Sequence, residues 1–188
     1  FRNRMRQKFS PKKVELKNQK VITIRQAEST DAEKLLDCIK TYVPDSEYIP
    51  KLASEIKLSL DDEKAWIESF ITHYNSLLLI AEYDNQIIGN IDLTANRRKI
   101  MEHTAVIGMG MLREWENTGL GTALLSETIK WSKQNPILEL IWLQVYTENL
   151  AGLSLYKKMG FVESGIIPHF FKQENKYFDN LTMTLNVK

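Results

Sequence analysis

The chain has 188 residues, 43% hydrophobic and 26% charged, with a formal net charge of +1. That suits one globular domain with a real core and leaves no global field to select nucleic acid or membrane. No apolar run approaches a transmembrane helix, and no secretory h-region is visible at the N-terminus. Cys38 is the single cysteine, which excludes an intrachain disulfide and points to a reducing, cytoplasmic compartment.

Residues 1–20 read as a basic N-terminal extension. Arg2, Arg4, Arg6, Lys8, Lys12, Lys13, Lys17 and Lys20 stand there against one acid, Glu15. Such charges could serve RNA, ribosome or anionic lipid. A solvated extension or a tag remnant is the favoured reading, because no aromatic interleaving or nucleic-acid motif accompanies them. The domain proper is expected over 21–188.

Val21–Arg25 alternates and reads as the first strand. Ser29 or Thr30 should cap a helix, with Thr30-x-x-Glu33 as a capping box. Ala32, Leu35, Leu36, Ile39, Tyr42 and Val43 form its apolar stripe, Cys38 beside them reads as a packed thiol, and Pro44 should end it. The stretch 45–58 is irregular, and a second helix begins near Asp61, with Trp66, Ile67, Phe70 and Ile71 at core spacing. Leu77–Tyr83 and Gln86–Thr94 are strands joined by the hairpin signal Asp84-Asn85. Glu102–Leu112 is the next strand, and its Gly108 and Gly110 would open one face to a ligand or mark a bulge.

Asn117-Thr118-Gly119-Leu120-Gly121-Thr122 then forms a Gly-containing turn that opens the helix Gly119–Gln134. Unpaired N–H groups and the positive dipole end at such a turn suit a phosphate or pyrophosphate. Helix–sheet packing through small residues explains two glycines as well. Strand Leu138–Tyr146 follows. Asn149 is a good N-cap for the helix containing Leu155-Tyr156-Lys157-Lys158-Met159-Gly160-Phe161, and Gly160 a good C′ residue. Phe161–Ser164, His169–Gln173 and Lys176–Val187 complete a sheet in an α+β domain.

Strand, Gly turn, helix, strand, Asn and LYKKMGF, in that order, resemble the GNAT superfamily of N-acetyltransferases. The likeness covers about Val21 to the C-terminus and is strongest over Thr104–Phe161. The family's loop (Q/R)xxGx(G/A) matches Glu116–Gly121 with Glu116 where Gln or Arg is usual. NxxAxxLYxxxGF matches Asn149–Phe161 with Gly152 for Ala. The ending, Phe170–Leu185, looks most like the ribosomal-protein-acetyltransferase (RimJ/RimL-like) branch. The resemblance implies a mixed, mostly antiparallel sheet of about seven strands flanked by about four helices.

The resemblance also implies acetyl-CoA as co-substrate and direct attack of a primary amine in a ternary complex. Its pantetheine arm would lie where the strand splays from Leu138–Tyr146. The implied cofactor contacts are Met109, Gly110, Met111, Leu112, Asn117, Thr118, Gly119, Leu120, Gly121, Thr122, Asn149 and Tyr156. Tyr156 would protonate the leaving thiolate, and backbone N–H groups near Met109–Met111 would hold the oxyanion. Many relatives carry a strand Glu where Val106 stands; Glu82, Glu102 and His103 are substitutes in principle. Asp45, Glu47 and Tyr48 are candidate acceptor contacts. The partner expected is an amine-bearing small molecule or a protein N-terminus, with a homodimer as one assembly option, and neither membrane nor nucleic acid. An acyl-CoA-binding module without catalysis is the alternative. His73, His103 and His169 show no ligand spacing and no CxxC occurs, so no metal is expected. GxxxxGK(S/T), GxGxxG and GxSxG are absent.

Overall fold

A computed structural model describes residues 7–51, 55 and 59–188. Arg2, Arg4 and Arg6 of the expected basic extension lie outside the described residues, as does most of the second half of the irregular stretch 45–58.

Eight strands form one sheet in the order β1-β2-β3-β4-β5-β6-β8-β7. They are β1 Lys12–Glu15, β2 Val21–Gln26, β3 Leu77–Tyr83, β4 Gln86–Ala95, β5 Thr104–Met111, β6 Leu140–Tyr146, β7 Val162–Gln173 and β8 Lys176–Asn186. The α-helices among the described residues are α1 Ala32–Asp45, α2 Leu60–Thr72, α3 Leu120–Gln134 and α4 Leu150–Lys158. Every neighbouring pair is antiparallel except β5–β6. That parallel pair needs a crossover, which α3 supplies.

Alternation along the strands sorts side chains to two faces. Leu79, Ile91, Leu93, Ile107, Leu143 and Met183 face α3 and α4, joining Leu120, Leu124 and Leu125 in the larger core. Leu78 and Ile80 face α1 and α2, joining Leu35, Ile39, Val43, Ile67 and Phe70. β3 is therefore apolar on both faces, which is why Leu77–Ala81 has no polar break.

Several expectations need correcting. The expected mostly antiparallel sheet of about seven strands is present with eight among the described residues; inside the expected extension, Lys12–Glu15 pairs with Val21–Ile24. Leu16 is 6% exposed and anchors that hairpin in the core. The cap before α1 is Glu28 with Asp31, not Thr30 with Glu33. Asp31 is fixed there by Arg25, whose two terminal nitrogens each donate to it at 2.7 Å. Pro44 lies within the last turn of α1 rather than ending it. Residues 162–173 form one strand rather than two, with register shifts on either side of Ile166 and Ile167. His169 takes φ 55° there, its N–H donating to Asp179 Oδ1 at 2.8 Å.

Asp84 and Asn85 make the β3–β4 turn with φ 47° and 61°, as the hairpin signal requires. Cys38 is buried, and burial pushes its thiol up to about 12, so it is a packed, unreactive group. No helix among the described residues is long and apolar enough to cross a membrane.

Candidate active site

The site begins with a break in sheet pairing. β5 and β6 pair over three residues, Thr104↔Leu140, Ala105↔Ile141 and Val106↔Trp142, and no further. Beyond that, β5 stays paired with β4 to Met111, and β6 with β8 to Tyr146. A gap therefore opens between two strands that are each fully held on their outer side.

Which backbone groups face the gap follows from the ladder. Leu112 N–H donates to Ile88 O at 2.9 Å, and Asn96 N–H to Thr104 O at 3.1 Å. An antiparallel ladder alternates, so the even-numbered residues of β5 turn their polar backbone to β4. Met109 and Met111 turn theirs to the gap. Gly110 and Leu112 are spent on β4 and its extension, so of the four expected contacts on this stretch these two have no free amide. Gly110 serves another purpose: a Cβ there would run into the ring of Tyr42, which is 7% exposed.

At the end of the gap lies the Gly turn. Asn117 takes φ 59° and Gly119 φ 94°. Gly119 is the N-cap of α3 and supplies no side-chain cap. The first intrahelical bond there is Ala123 N–H to Gly119 O at 3.0 Å. The amides of Leu120, Gly121 and Thr122 thus point outward without an intrahelical acceptor. Thr118 is not free in the same way: its hydroxyl donates to Trp115 O at 2.6 Å. Gly121 sits where Leu155, Met111 and Met109 converge, and a Cβ would meet them at 3.2–3.5 Å. One small residue thereby joins α3, α4 and β5.

Sequence reasoning missed Lys17. Its N–H donates to Thr118 O at 3.0 Å, and its side-chain stem lies beside Gly119. Lys20 is held over the Tyr83 and Trp115 rings at 5.0 and 4.9 Å. The β1–β2 turn therefore brings a lysine to the anion-suited turn beside exposed Glu116. The only signal for it was charge, within a segment set apart as an extension.

Asn149 Oδ1 accepts from Gly152 N–H at 2.9 Å and caps α4. A Cβ at Gly152 would lie 2.7 Å from the Asn149 amide nitrogen, so glycine is there to admit the cap. α4 ends in a Schellman motif: Phe161 N–H donates to Tyr156 O and Gly160 N–H to Lys157 O, both at 3.0 Å, with Gly160 at φ 94°. This motif fixes Tyr156 in the last turn, edge-on to Phe161 with ring centroids 6.0 Å apart. Burial pushes the Tyr156 hydroxyl up to about 12, so it keeps its proton at neutral pH. It makes no hydrogen bond among the described residues.

Val106 faces α1 and α2, where a strand carboxylate was sought. The substitutes are elsewhere. Glu82 is ion-paired to Arg25 at 2.8 Å. Glu102 accepts from Tyr74 O–H at 3.0 Å and, with His103, precedes the closed end of the β5–β6 pair. The α1–α2 segment does reach the sheet: Tyr48 lies 5.7 Å from the Tyr146 ring, and Gln173 Nε2 donates to Glu47 O at 3.3 Å and Tyr146 Oη at 3.2 Å. Asp45 ends α1. Among the described residues no cluster of three or more His, Cys, Asp or Glu could hold a metal ion.

Comparison with known proteins agrees with this architecture. Residues 40–161 match the model of the acetyltransferase (GNAT) family. An N-alpha-acetyltransferase of Sulfurisphaera tokodaii is 24% identical over 165 residues, covering 84% of this chain and 90% of the relative. An L-amino acid N-acetyltransferase of Escherichia coli is 23% identical over 158 residues, covering 84% and 93%. A GNAT acetyltransferase structure from Streptococcus pneumoniae superposes with TM-score 0.82 at 27% identity, covering 89% of this chain and 99% of that one. A phosphinothricin acetyltransferase from Sinorhizobium meliloti, solved in complex with acetyl-CoA, gives TM-score 0.77 at 16% identity over 88% of each chain. The chain belongs to the acetyltransferase (GNAT) family and is an enzyme of the acyltransferase class.

Proposed function

We propose that this chain transfers an acetyl group from acetyl-CoA to a primary amine by direct attack in a ternary complex. The observation that carries the reading is the gap after Val106↔Trp142, lined by the backbone of Met109 and Met111 and leading to the three outward amides of α3. Acetyl-CoA is consumed as a substrate. Leu120, Gly121 and Thr122 would receive its pyrophosphate, with Lys17 supplying the cation that Glu116 does not. The β5 backbone would pair with its amide-bearing arm. Asn149 borders the same gap through its contact with Tyr146, whose carbonyl accepts from Asn149 N–H at 3.0 Å.

Tyr156 acts as the acid. Its proton is retained at neutral pH and its hydroxyl is uncommitted, so it can protonate the thiolate as the thioester breaks. The acceptor is a protein N-terminus or a small amine, approached from the side of Glu47 and Tyr48. The relatives named for N-alpha and amino-acid acetylation support an α-amine. An α-amine, with pKa about 8, also needs less deprotonation than a side-chain ammonium at about 10.4.

Val106 at the strand-carboxylate position favours a second reading, a module that binds acyl-CoA without turnover. One experiment separates the two. Acetyl-CoA is titrated calorimetrically, and thiol release is followed over a panel of amines and peptides for wild type and Tyr156→Phe. The transferase reading expects binding, release with at least one amine, and a loss of roughly 100-fold in kcat for Tyr156→Phe at unchanged affinity. Absence of binding at millimolar ligand refutes both readings.

A further inference from the structure

We propose that Asp92 is the general base that takes the proton from the acceptor ammonium, reaching across the sheet from β4 to the mouth of the β5–β6 gap. The proposal rests on the transferase reading above and names the group that reading lacks.

Asp92 pairs with Gly108 on β5 and Leu78 on β3. Its side chain therefore shares the α1–α2 face with Asn90, Thr94, Val106, Gly108 and Gly110. Gly108 has no side chain, and the Asp92 carboxylate occupies that space. A Cβ on Gly108 would lie 2.7 Å from Asp92 Oδ1. The carboxylate thus lies over the β5 backbone two residues past the last β5–β6 pair. Across the gap on the same face stand Gln144 and Thr182, paired to each other on β6 and β8. Gln144 is exposed, so the face is open to an incoming molecule there.

The charge environment sets Asp92 apart from the other acids. Thr94 O–H donates to its Oδ2 at 3.2 Å, its own backbone N–H also supports the carboxylate, and the residue is half-buried. The titratable groups on this face include Tyr42 and Cys38 from α1, Glu63 from α2, His73 at the far end of α2, Tyr146 from β6, and Arg25 from β2, which is spent on Asp31 and Glu82. Tyr42 donates its hydroxyl proton to Asn90 Oδ1 at 3.0 Å. From β5 come Thr104, Val106, Gly108 and Gly110, which carry no charge, and from β6 Trp142, Gln144 and the neutral phenol Tyr146. No cation pairs with Asp92 among the described residues, whereas Asp31 and Glu82 both have Arg25. Burial pushes the Asp92 carboxyl up to about 7, with Thr94 opposing. A base of that strength is half ionised at neutral pH and holds a transferred proton. Glu63, the other acid raised on this face, is 0% exposed and out of reach of an acceptor.

The ammonium gives one proton to Asp92, which passes it to solvent. The free amine forms the N–C bond at the thioester carbonyl. The carbonyl π electrons move to oxygen and return as the C–S bond breaks. The thiolate takes the Tyr156 proton, and the second proton lost from nitrogen restores the Tyr156 hydroxyl. Val106 at the strand-carboxylate position and a carboxylate over Gly108 are then one arrangement: the base stands on the neighbouring strand, and glycine makes its path.

The test is the pH dependence of kcat from 5.5 to 9.5 for wild type, Asp92→Asn and Asp92→Glu, with the amine that wild type turns over best. Acetyl-CoA affinity is measured alongside. The expected wild-type profile rises with a midpoint near 7. Asp92→Asn should lose that limb and about 100-fold of kcat at pH 7, its residual rate climbing about tenfold per pH unit. Its acetyl-CoA affinity should stay within threefold of wild type. Asp92→Glu should restore the limb. An Asp92→Asn profile that keeps the limb, at full or reduced rate, overturns the base while leaving the transferase reading intact. A wild type that binds acetyl-CoA but turns over no amine overturns the transferase reading and the base with it.

Discussion

Glu63→Gln should make the enzyme's stability less sensitive to pH, and the size of the change follows from where Glu63 sits. The residue lies in the first turn of α2, beside Asp61 and Asp62, but it is 0% exposed and neither carboxylate oxygen has a hydrogen-bond partner. Burial pushes its carboxyl from 4.5 up to about 7, with Lys51 and Lys40 pulling the other way. The folded state therefore keeps a proton that the unfolded chain releases. Below pH 4.5 both states hold it, and there is no penalty. Between 4.5 and about 7 the unfolded state is favoured progressively, and above 7 both are ionised and the penalty is constant. At about 1.4 kcal/mol per pH unit, that interval amounts to about 3 kcal/mol. Glutamine keeps the shape without the titration, at the cost of a buried amide. That cost does not vary with pH, so the difference between the two proteins isolates the carboxyl. Urea unfolding at pH 4.5 and pH 8 measures it. Wild type should lose about 3 kcal/mol more than Glu63→Gln over that range, and parallel losses would refute the assignment.

Two further changes probe the anion-suited turn. Gly119→Ala adds a Cβ that meets only the Lys17 stem, at 3.7 Å, so its cost comes from φ 94° and should be about 1–2 kcal/mol by denaturant unfolding, together with weaker acetyl-CoA binding. Equal stability would mean the turn does not need the left-handed region. Lys17→Ala keeps the backbone bond to Thr118 and removes the side chain with its charge, so acetyl-CoA affinity should fall roughly three- to tenfold at low salt and less at high salt. Calorimetry at two ionic strengths checks it, and an unchanged affinity would exclude the lysine from the site.

What could be read from the chain was local. Asp84-Asn85 announces a hairpin because few residues accept two successive positive φ values. Asn149 and Gly160 announce the two ends of α4 because their capping chemistry is contained within a few residues. What could not be read depended on strands far apart in sequence. Lys12–Glu15 looks like a charge run, and becomes a strand only because Leu16 finds the core and Lys17 finds Thr118. Glu63 follows Asp61 and Asp62 and reads as a third solvated acid of a helix start. Asp92 falls at a polar position of an alternating strand, where an acid usually meets water. Its meaning depends on Gly108, sixteen residues on, and on the strand register that sets one over the other.

The gap itself explains why the two halves of the chemistry sit on opposite faces. β5 gives seven residues to β4 and β6 gives seven to β8, yet they share only three. The inner backbone groups of β5 beyond Val106 therefore have no strand partner and are free to pair with an extended molecule. A molecule with its own amide groups, laid along β5, would satisfy them. On the α3–α4 face that molecule would meet the outward amides of α3 and the hydroxyl-bearing end of α4. On the α1–α2 face the same opening is bordered by Asp92, Gly108 and Gln144. A sheet closed at β5–β6 would separate these faces by a wall of hydrogen bonds. With it open, an amine beside Asp92 would reach the thioester carbonyl carbon from the α1–α2 face, and the leaving thiolate would depart toward Tyr156, away from the base.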